Sequence, residues 1–418
     1  MKVLRRLRRR EPRSSIKLRN PALTALRLTA AEDSGFCRIR FTRPGEVTLN
    51  RLRHSGSRAC AVLAVTLLLQ QGCSVWRPYP LKPWAGLEKP PALPASYQGY
   101  YDYPRAEPAA ALISEEIQGG CVRRQYELDL SLPPDLLPPD LEAQKKRVRD
   151  METHDRKTAS DMRLNFTNRI DVFSPVKMKP DEKKPVILIS PILGGNMVVD
   201  HFARYYAGRG WIAVIVHRKR PYLTDGAQDL SGTERYLRTS VVRLRQVIDW
   251  LETRPEADLT RLGAFGISYG AILHSVLAAV EPRIRYHVIA MPGAPLPEVI
   301  MHCPDKGVSK LVRKAHEEFG WSHEKIQAQL QEHIRTDPIY LAPYVPGGRV
   351  EFYLAAFDRV VGARRSWKLW KAMGRPKLKI LPFGHYGGIL LLPVLQTQSY
   401  GAFKRAFRSE KLSVSPAA

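Results

Sequence analysis

From residue 184 onward the chain alternates between two kinds of segment, and that alternation limits what it can fold into. PVILIS (185–190) is a short continuous apolar run, the mark of a strand covered on both faces. A Gly-Gly loop and a helical segment at about 198–208 follow it, then the strand-like WIAVIVH (211–217). Across 232–253, Leu237, Val241, Leu244, Ile248 and Leu251 recur at steps of four and three, which lays one apolar stripe along a helix. RLGAFGIS (261–268) reads as a strand, YGAILHSVLAAV (269–280) as a helix and RYHVIAMP (285–292) as the next strand. After a charged helical stretch at about 297–346, the series closes with RVEFYLAAF (349–357), a helix through SWKLWKAMG, KLKILPF (377–383) and a helix at about 389–408. Strands that alternate with helices imply crossover connections. The expected fold class is therefore α/β, a mostly parallel central sheet flanked by helices on both faces.

Upstream, CVRRQYELDLSLP (121–133) and MRLNFTNRIDVFSPV (162–176) alternate like strands, and the charged stretch 142–161 between them reads as helical. Residues 74–110 are rich in Pro, Tyr and Ala; proline fixes φ and removes a backbone donor, so this segment reads as an extended tether. Tyr100, Tyr101 and Tyr103 read as packing within that tether, in preference to a sugar-binding platform. The expected organisation is a basic leader with a signal-like segment at 1–72, a Pro-rich tether at 73–115 and the α/β domain at 116–410.

The formal net charge of +26 is concentrated at one end: residues 1–60 hold sixteen Lys/Arg against four acids. A run such as Arg5-Arg6-Leu7-Arg8-Arg9-Arg10 suits nucleic acid or an anionic membrane. No aromatic side chains alternate with these arginines to stack on bases, and no zinc-finger or helix-turn-helix spacing follows, so no nucleic-acid partner is expected. CAVLAVTLLL (60–69) follows Arg51, Arg53 and Arg58 and leads into QQGCS, the order of a secretory signal. It is too short to span a bilayer, which needs about 20 residues. Gly72-Cys73 resembles a bacterial lipobox, with Gln70 where leucine is preferred. A lipid on Cys73 would anchor the product to a membrane of the cell envelope, and residues 1–46 would then precede the true start; a cytoplasmic product is the alternative. The five cysteines (Cys37, Cys60, Cys73, Cys121, Cys303) form no CxxC pair and no His/Cys metal spacing, so neither a disulfide scaffold nor a metal or other cofactor is expected.

Chemistry points to GISYG (266–270). A nucleophilic serine needs exposure at a sharp turn, a base for its proton and donors for an oxyanion. Ser268 falls between a strand and a helix, and Gly266 and Gly270 lack the Cβ atoms that would hold the two apart. Asp358 follows the strand EFYLAAF and His385 follows KLKILPF, so all three side chains are expected at carboxyl ends of strands, where open α/β sheets gather functional residues. Asp358 would orient the imidazole, and His385 would act as base to Ser268. Taken singly, Asp358 also reads as a turn or capping aspartate, and His385 as a loop histidine. His201, His217, His274, His287, His302 and His316 form no spaced metal set and read as structural or solvated, with His274 expected to face away from the turn. Asp200, Asp225, Asp229 and Asp337 are rival acids that follow no strong strand.

With GISYG as elbow, FDRVV as acid loop and PFGHYGG as histidine loop, residues 162–408 resemble the α/β-hydrolase superfamily, near its dienelactone-hydrolase-like and acetyl-esterase-like branches. The resemblance implies the α/β-hydrolase fold with a helical lid at about 297–346, read as two helical segments broken at Gly320-Trp321. It also implies an oxyanion hole made by the backbone N–H of Tyr269 and a second donor in SPILGGN. The family's His-Gly opening is replaced there by Ser190-Pro191, which leaves Leu193, then Ile192, as the expected donor. The expected activity is a serine hydrolase cleaving a small-molecule carboxylic ester. A thioesterase, peptidase or acyltransferase with the same triad, or a non-catalytic binding protein on this fold, are the alternatives.

Overall fold

The computed structural model describes residues 26–30, 37–41, 90–105, 109–137, 140–179, 181–218 and 230–409. The chain divides into two units, Met1–Leu81 and Lys82–Ala418. In the first, strands β1 (Leu26–Ala30) and β2 (Cys37–Phe41) pair antiparallel, with Leu26 opposite Phe41. The arginine run, the apolar run 60–69, Cys73 and residues 74–89 and 106–108 of the expected tether lie outside the described residues. Among the described residues no helix is long and apolar enough to cross a membrane.

Among the described residues of the second unit, nine strands form one sheet. They are β3 (Ala110–Gln118), β4 (Cys121–Asp129), β5 (Thr167–Pro175), β6 (Lys184–Ser190), β7 (Ile212–Val216), β8 (Ala257–Ile267), β9 (Tyr286–Ala290), β10 (Val350–Ala355) and β11 (Lys377–Leu381). Their order across the sheet is β11, β10, β9, β8, β6, β7, β5, β4, β3. The pairings from β11 to β7 are parallel, and β5, β4 and β3 are added antiparallel. Two expectations shift here. Residues 162–166 finish a helix and its turn, because Asp155 caps that helix by accepting from the Thr158 N–H at 3.1 Å and it runs on through Arg163. Residues 110–115, expected in the tether, belong to β3.

The continuous apolar runs have the cause expected of them. Val186 and Leu188 of β6, Val214 and Val216 of β7 and Leu262 and Ala264 of β8 face one side of the sheet. There they meet helix α4 (Ser231–Glu252), through Leu237, Val241, Leu244, Ile248 and Leu251, and helix α5 (Tyr269–Val280). The alternate residues, Ile187, Ile189, Ala213, Ile215, Phe265 and Ile267, face the other side, against α3 (Met197–Ala207) and α11 (Leu392–Arg408). With both faces covered, no strand position is left for a polar residue to alternate into. The remaining helices are α1 (Leu141–Met151) and α2 (Arg156–Arg163) before β5, and α10 (Ala363–Ala372) between β10 and β11.

Between β9 and β10 stands a cap of four helices among the described residues, where two segments were expected: α6 (Leu296–His302), α7 (Lys306–Phe319), α8 (His323–His333) and α9 (Pro338–Leu341). The expected break at Gly320 is present, in a left-handed conformation with φ 62° that terminates α7. The other breaks come from capping carboxylates. Asp305 accepts from the Gly307 N–H at 2.8 Å, and Asp337 accepts from the Ile339 N–H at 3.0 Å.

The tyrosine segment before β3 is laced to the domain. Tyr101 is buried at 2% exposure and donates to Thr336 Oγ1 at 3.2 Å, while Tyr103 donates to Asp249 at 2.6 Å. Tyr100 donates to Glu234 Oε1 at 2.7 Å. Glu234, buried on α4, also accepts from the Thr336 hydroxyl at 2.6 Å and from the backbone N–H groups of Arg335 and Thr336 at 2.8 and 2.7 Å. One carboxylate thus joins the N-terminal segment, the first turn of α4 and the end of the cap. Glu234→Ala leaves four donors without their acceptor and is expected to cost about 3 kcal/mol, read as a lowered urea midpoint at unchanged slope.

Candidate active site

The site starts from a steric constraint. A Cβ on Gly266 would sit 2.4 Å from the backbone C and O of Gly270, and a Cβ on Gly270 would sit 2.4 Å from the Ser190 carbonyl oxygen. Strand β8, helix α5 and the end of β6 therefore meet at a spacing that only hydrogen side chains allow. Squeezed between the glycines, Ser268 takes φ 55° and ψ −118°, a region L-residues rarely enter. Its N–H is tied to the Ala290 carbonyl at 2.9 Å, and its carbonyl accepts from the Ile272 N–H at 3.0 Å. The backbone holds the turn at both ends, and the side chain stands clear at the carboxyl end of the sheet.

Two further strand ends deliver their residues to that point. Beyond β10 and β11 the acid and histidine loops stay paired: the Ala356 N–H donates to Leu381 O at 2.9 Å and the Phe357 N–H to Phe383 O at 3.1 Å. The buried Asp358 carboxylate is fixed through Oδ1, which accepts from the N–H groups of Val360 and Val361 at 2.8 and 3.0 Å. Its Oδ2 lies 2.7 Å from His385 Nδ1, and His385 Nε2 lies 2.8 Å from Ser268 Oγ. A carboxylate can only accept, so the proton of neutral His385 is assigned to Nδ1, which leaves Nε2 as acceptor for the serine hydroxyl. The structure brings the three expected side chains into one chain of hydrogen bonds.

The loop after β6 is set by a residue that sequence reasoning did not single out. Arg218, buried just past β7, donates through Nε to the Ile192 carbonyl at 3.1 Å and through its guanidinium to the Leu193 carbonyl. In a trans peptide the C=O and the following N–H point in opposite directions. Turning those carbonyls toward Arg218 turns the N–H groups of Leu193 and Gly194 the other way. Ile192, Leu193 and Gly194 line the same cavity, of about 180 Å³, as Ser268, Tyr269 and His385. The sequence signal for Arg218 was only its place after an apolar strand, which any loop arginine shares.

Next to it His217, expected to be structural or solvated, belongs to a buried polar cluster. Its Nε2 lies 2.9 Å from Asp171 on β5, which also accepts from Arg123 at 2.7 Å and Gln125 at 2.8 Å. The amide of Asn196, at the start of α3, reaches the His217 ring at 3.2 Å. Burial opposes ionisation of Asp171, but its hydrogen bonds and the His217 charge outweigh that and hold its carboxyl at about 2. His274 departs from expectation: its ring packs where a Gly266 Cβ would stand, 2.6 Å from that position, against the turn and not away from it. Complete burial lowers its pKa to about 3 and keeps it neutral. Among the rival acids, Asp337 caps α9 and accepts from the Leu296 N–H, while burial raises its pKa to about 6; Asp225 and Asp229 lie outside the described residues. Cys121 and Cys303 are both free and buried. Among the described residues no group of three or more His, Cys, Asp or Glu side chains is placed to hold a metal ion.

Comparison with known proteins bears on the fold. The sequence profile of the family described as X-Pro dipeptidyl-peptidase (S15 family) matches residues 142–336, a span that includes the elbow and ends before Asp358 and His385. An uncharacterized protein of Mycobacterium tuberculosis (strain ATCC 25618 / H37Rv) is 27% identical over 174 residues, which are 41% of this chain and 38% of that relative. The match thus spans little more than a third of the relative's length. Among solved structures, acetyl xylan esterase 1 from Thermoanaerobacterium sp. JW/SL YS485 superposes with a TM-score of 0.50 at 14% identity, covering 73% of this chain and 94% of that one. The acetyl xylan esterase of Paenibacillus sp. R4 gives 0.51 at 12% identity, covering 74% and 92%. At such identities the likeness is one of fold.

Gly270→Ala places a methyl group against the Ser190 carbonyl and is expected to cost about 3 kcal/mol, read from the denaturation midpoint. For Asp171, a folded-state pKa depressed from 3.8 to about 2 means stabilisation that is present above pH 4 and lost as pH falls toward 2. The shift corresponds to about 2 kcal/mol at neutral pH. Asp171→Asn should flatten that acid limb in a pH series of unfolding curves.

Proposed function

We infer that this chain, an α/β-hydrolase by fold, is a serine hydrolase that cleaves a carboxylic ester through an acyl-enzyme on Ser268. The observation that carries the reading is the continuous chain from Ser268 Oγ through His385 to Asp358, at 2.8 and 2.7 Å. In this reading His385 Nε2 takes the serine proton as Oγ attacks the carbonyl carbon, and the buried Asp358 carboxylate stabilises the imidazolium that forms. The carbonyl oxygen, now negative, is met by the N–H of Tyr269 at the start of α5 and by an N–H of the loop that Arg218 clamps, at Leu193 in preference to Ile192, whose N–H that clamp does not turn. His385 then returns the proton to the departing alcohol, and water repeats the sequence to release the acid.

A second reading, cleavage of a peptide amide, has its support in the family profile over residues 142–336. A peptide amino terminus brings an ammonium, which needs an anionic acceptor. Among the described residues the carboxylate that lines the cavity outside the triad is Asp305, whose oxygens accept from the Gly307 N–H at 2.8 Å and the Tyr386 hydroxyl at 3.0 Å. The wall around that carboxylate is otherwise mostly apolar, which favours an uncharged ester.

Labelling by a fluorophosphonate probe tests the nucleophile. Wild type should label and Ser268→Ala should not; label retained in the variant overturns the assignment. On a p-nitrophenyl ester, Ser268→Ala is expected to lose at least about 10⁴-fold in kcat. Asp358→Asn, which presents the wrong hydrogen-bonding partner to Nδ1, should lose a comparable factor with KM little changed.

A further inference from the structure

The cavity beside Ser268 has a composition that selects among esters. One part of its wall is the scaffold, with Leu237 of α4 and Ile272 of α5; the other is the cap, with Leu296, Val299 and Ile300 of α6 and Val308 of α7. All six side chains are buried. Among the described residues the polar groups beyond the catalytic ones are few: the Thr233 hydroxyl, the Cys303 thiol, and Asp305 with Tyr386, which are bonded to each other. A sugar pressed into this space would exchange water for a wall with few hydrogen-bonding groups, whereas an alkyl group gains from burial.

Direction follows from the chemistry. The imidazole must protonate the leaving alcohol, so the alcohol departs on the His385 side, and next to His385 stands Tyr386 at 60% exposure. The other substituent of the carbonyl, the acyl group, is left facing the closed end between α4, α5 and α6. Its size follows from the volume. A dry apolar cavity of roughly 150 Å³ admits a six-carbon molecule such as benzene. At about 180 Å³, a volume that also receives the ester group beside Ser268 and His385, this one admits a tail of about that size and no larger.

We propose that the Leu237, Ile272, Val299 and Ile300 cavity is an acyl pocket, and that the substrates are esters of uncharged aliphatic acids of about six carbons, neither acetates nor long-chain lipids. The proposal rests on the serine-hydrolase reading. Each methylene moved from water into the pocket is worth about fourfold in kcat/KM. From acetate to hexanoate four methylenes are added, for a rise of up to about 250-fold.

The test uses the full chain and p-nitrophenyl esters from acetate to decanoate, with fluorophosphonate labelling on the same preparation. Expected is a kcat/KM that climbs to hexanoate and falls beyond octanoate. In Val299→Trp, which fills the pocket from the cap side, the hexanoate-to-acetate ratio should drop at least tenfold. A series of alkyl acetates, which lengthens the alcohol instead, should show a much shallower trend. If Ser268 labels but acetate equals or exceeds hexanoate in the wild type, the pocket proposal is overturned and the hydrolase reading stands. If the alcohol series carries the steep trend, the acyl assignment is overturned. If Ser268 does not label and no ester turns over, the hydrolase reading fails and takes the pocket with it.

Discussion

The close approach of three backbones at Gly266, Gly270 and Ser190 is the contact on which the site depends. Strand β8 and helix α5 are joined by a single residue, and a helix can leave a strand that abruptly only if the two backbones nearly touch. The 2.4 Å that a Cβ would find at either glycine measures how little room remains. Ser268 pays for this with a left-handed backbone, and it gains a hydroxyl raised above the sheet where partners from other strands can reach it. His274, buried and neutral beneath Gly266, shows that the space under the turn is as filled as the space within it.

The sheet order does the rest of the positioning. Asp358 and His385 arrive from adjacent strands, β10 and β11, whose loops remain hydrogen-bonded beyond the strands themselves. Separation by 117 residues between Ser268 and His385 becomes a 2.8 Å contact because parallel strands place all their carboxyl ends on one edge. On the opposite side of the elbow, β7 is followed by His217 and Arg218, two consecutive residues with different duties. Arg218 grips the carbonyls of the loop that carries Leu193, while His217 is braced by Asp171 and reaches Asn196 at the start of α3. The loop after β6 and the start of α3 are thus held by side chains that follow β7.

Much of this is legible along the chain because it is local. The period of Leu237, Val241, Leu244, Ile248 and Leu251 is a property of one helix, and the apolar run of β6 is a property of one strand covered on both faces. The elbow glycines and the strand-end positions of Asp358 and His385 are likewise short-range facts. What escapes such reading is pairing between distant segments. Glu234 looks like an ordinary acid in the first turn of a helix until Tyr100 and Thr336 are brought to it. Asp171 sits within an alternating strand, and nothing in its neighbours announces His217. Proline content suggests a tether around Tyr100, Tyr101 and Tyr103 and says nothing of their acceptors, Glu234 and Asp249 on α4 and Thr336 at the end of the cap.

The sequence by itself determined the layering of the fold, the turn at Ser268 and the identity of the residues offered at the strand ends, because steric demand and hydrophobic period act over a few residues at a time. Only the tertiary structure decided which carbonyls Arg218 would hold, how the cap would divide into four helices among the described residues, and that its apolar faces would meet α4 and α5 around a cavity of about 180 Å³. Those outcomes depend on side chains contributed by separate elements of the chain, and a hydrogen bond or a cavity exists only once both of its sides have been brought together.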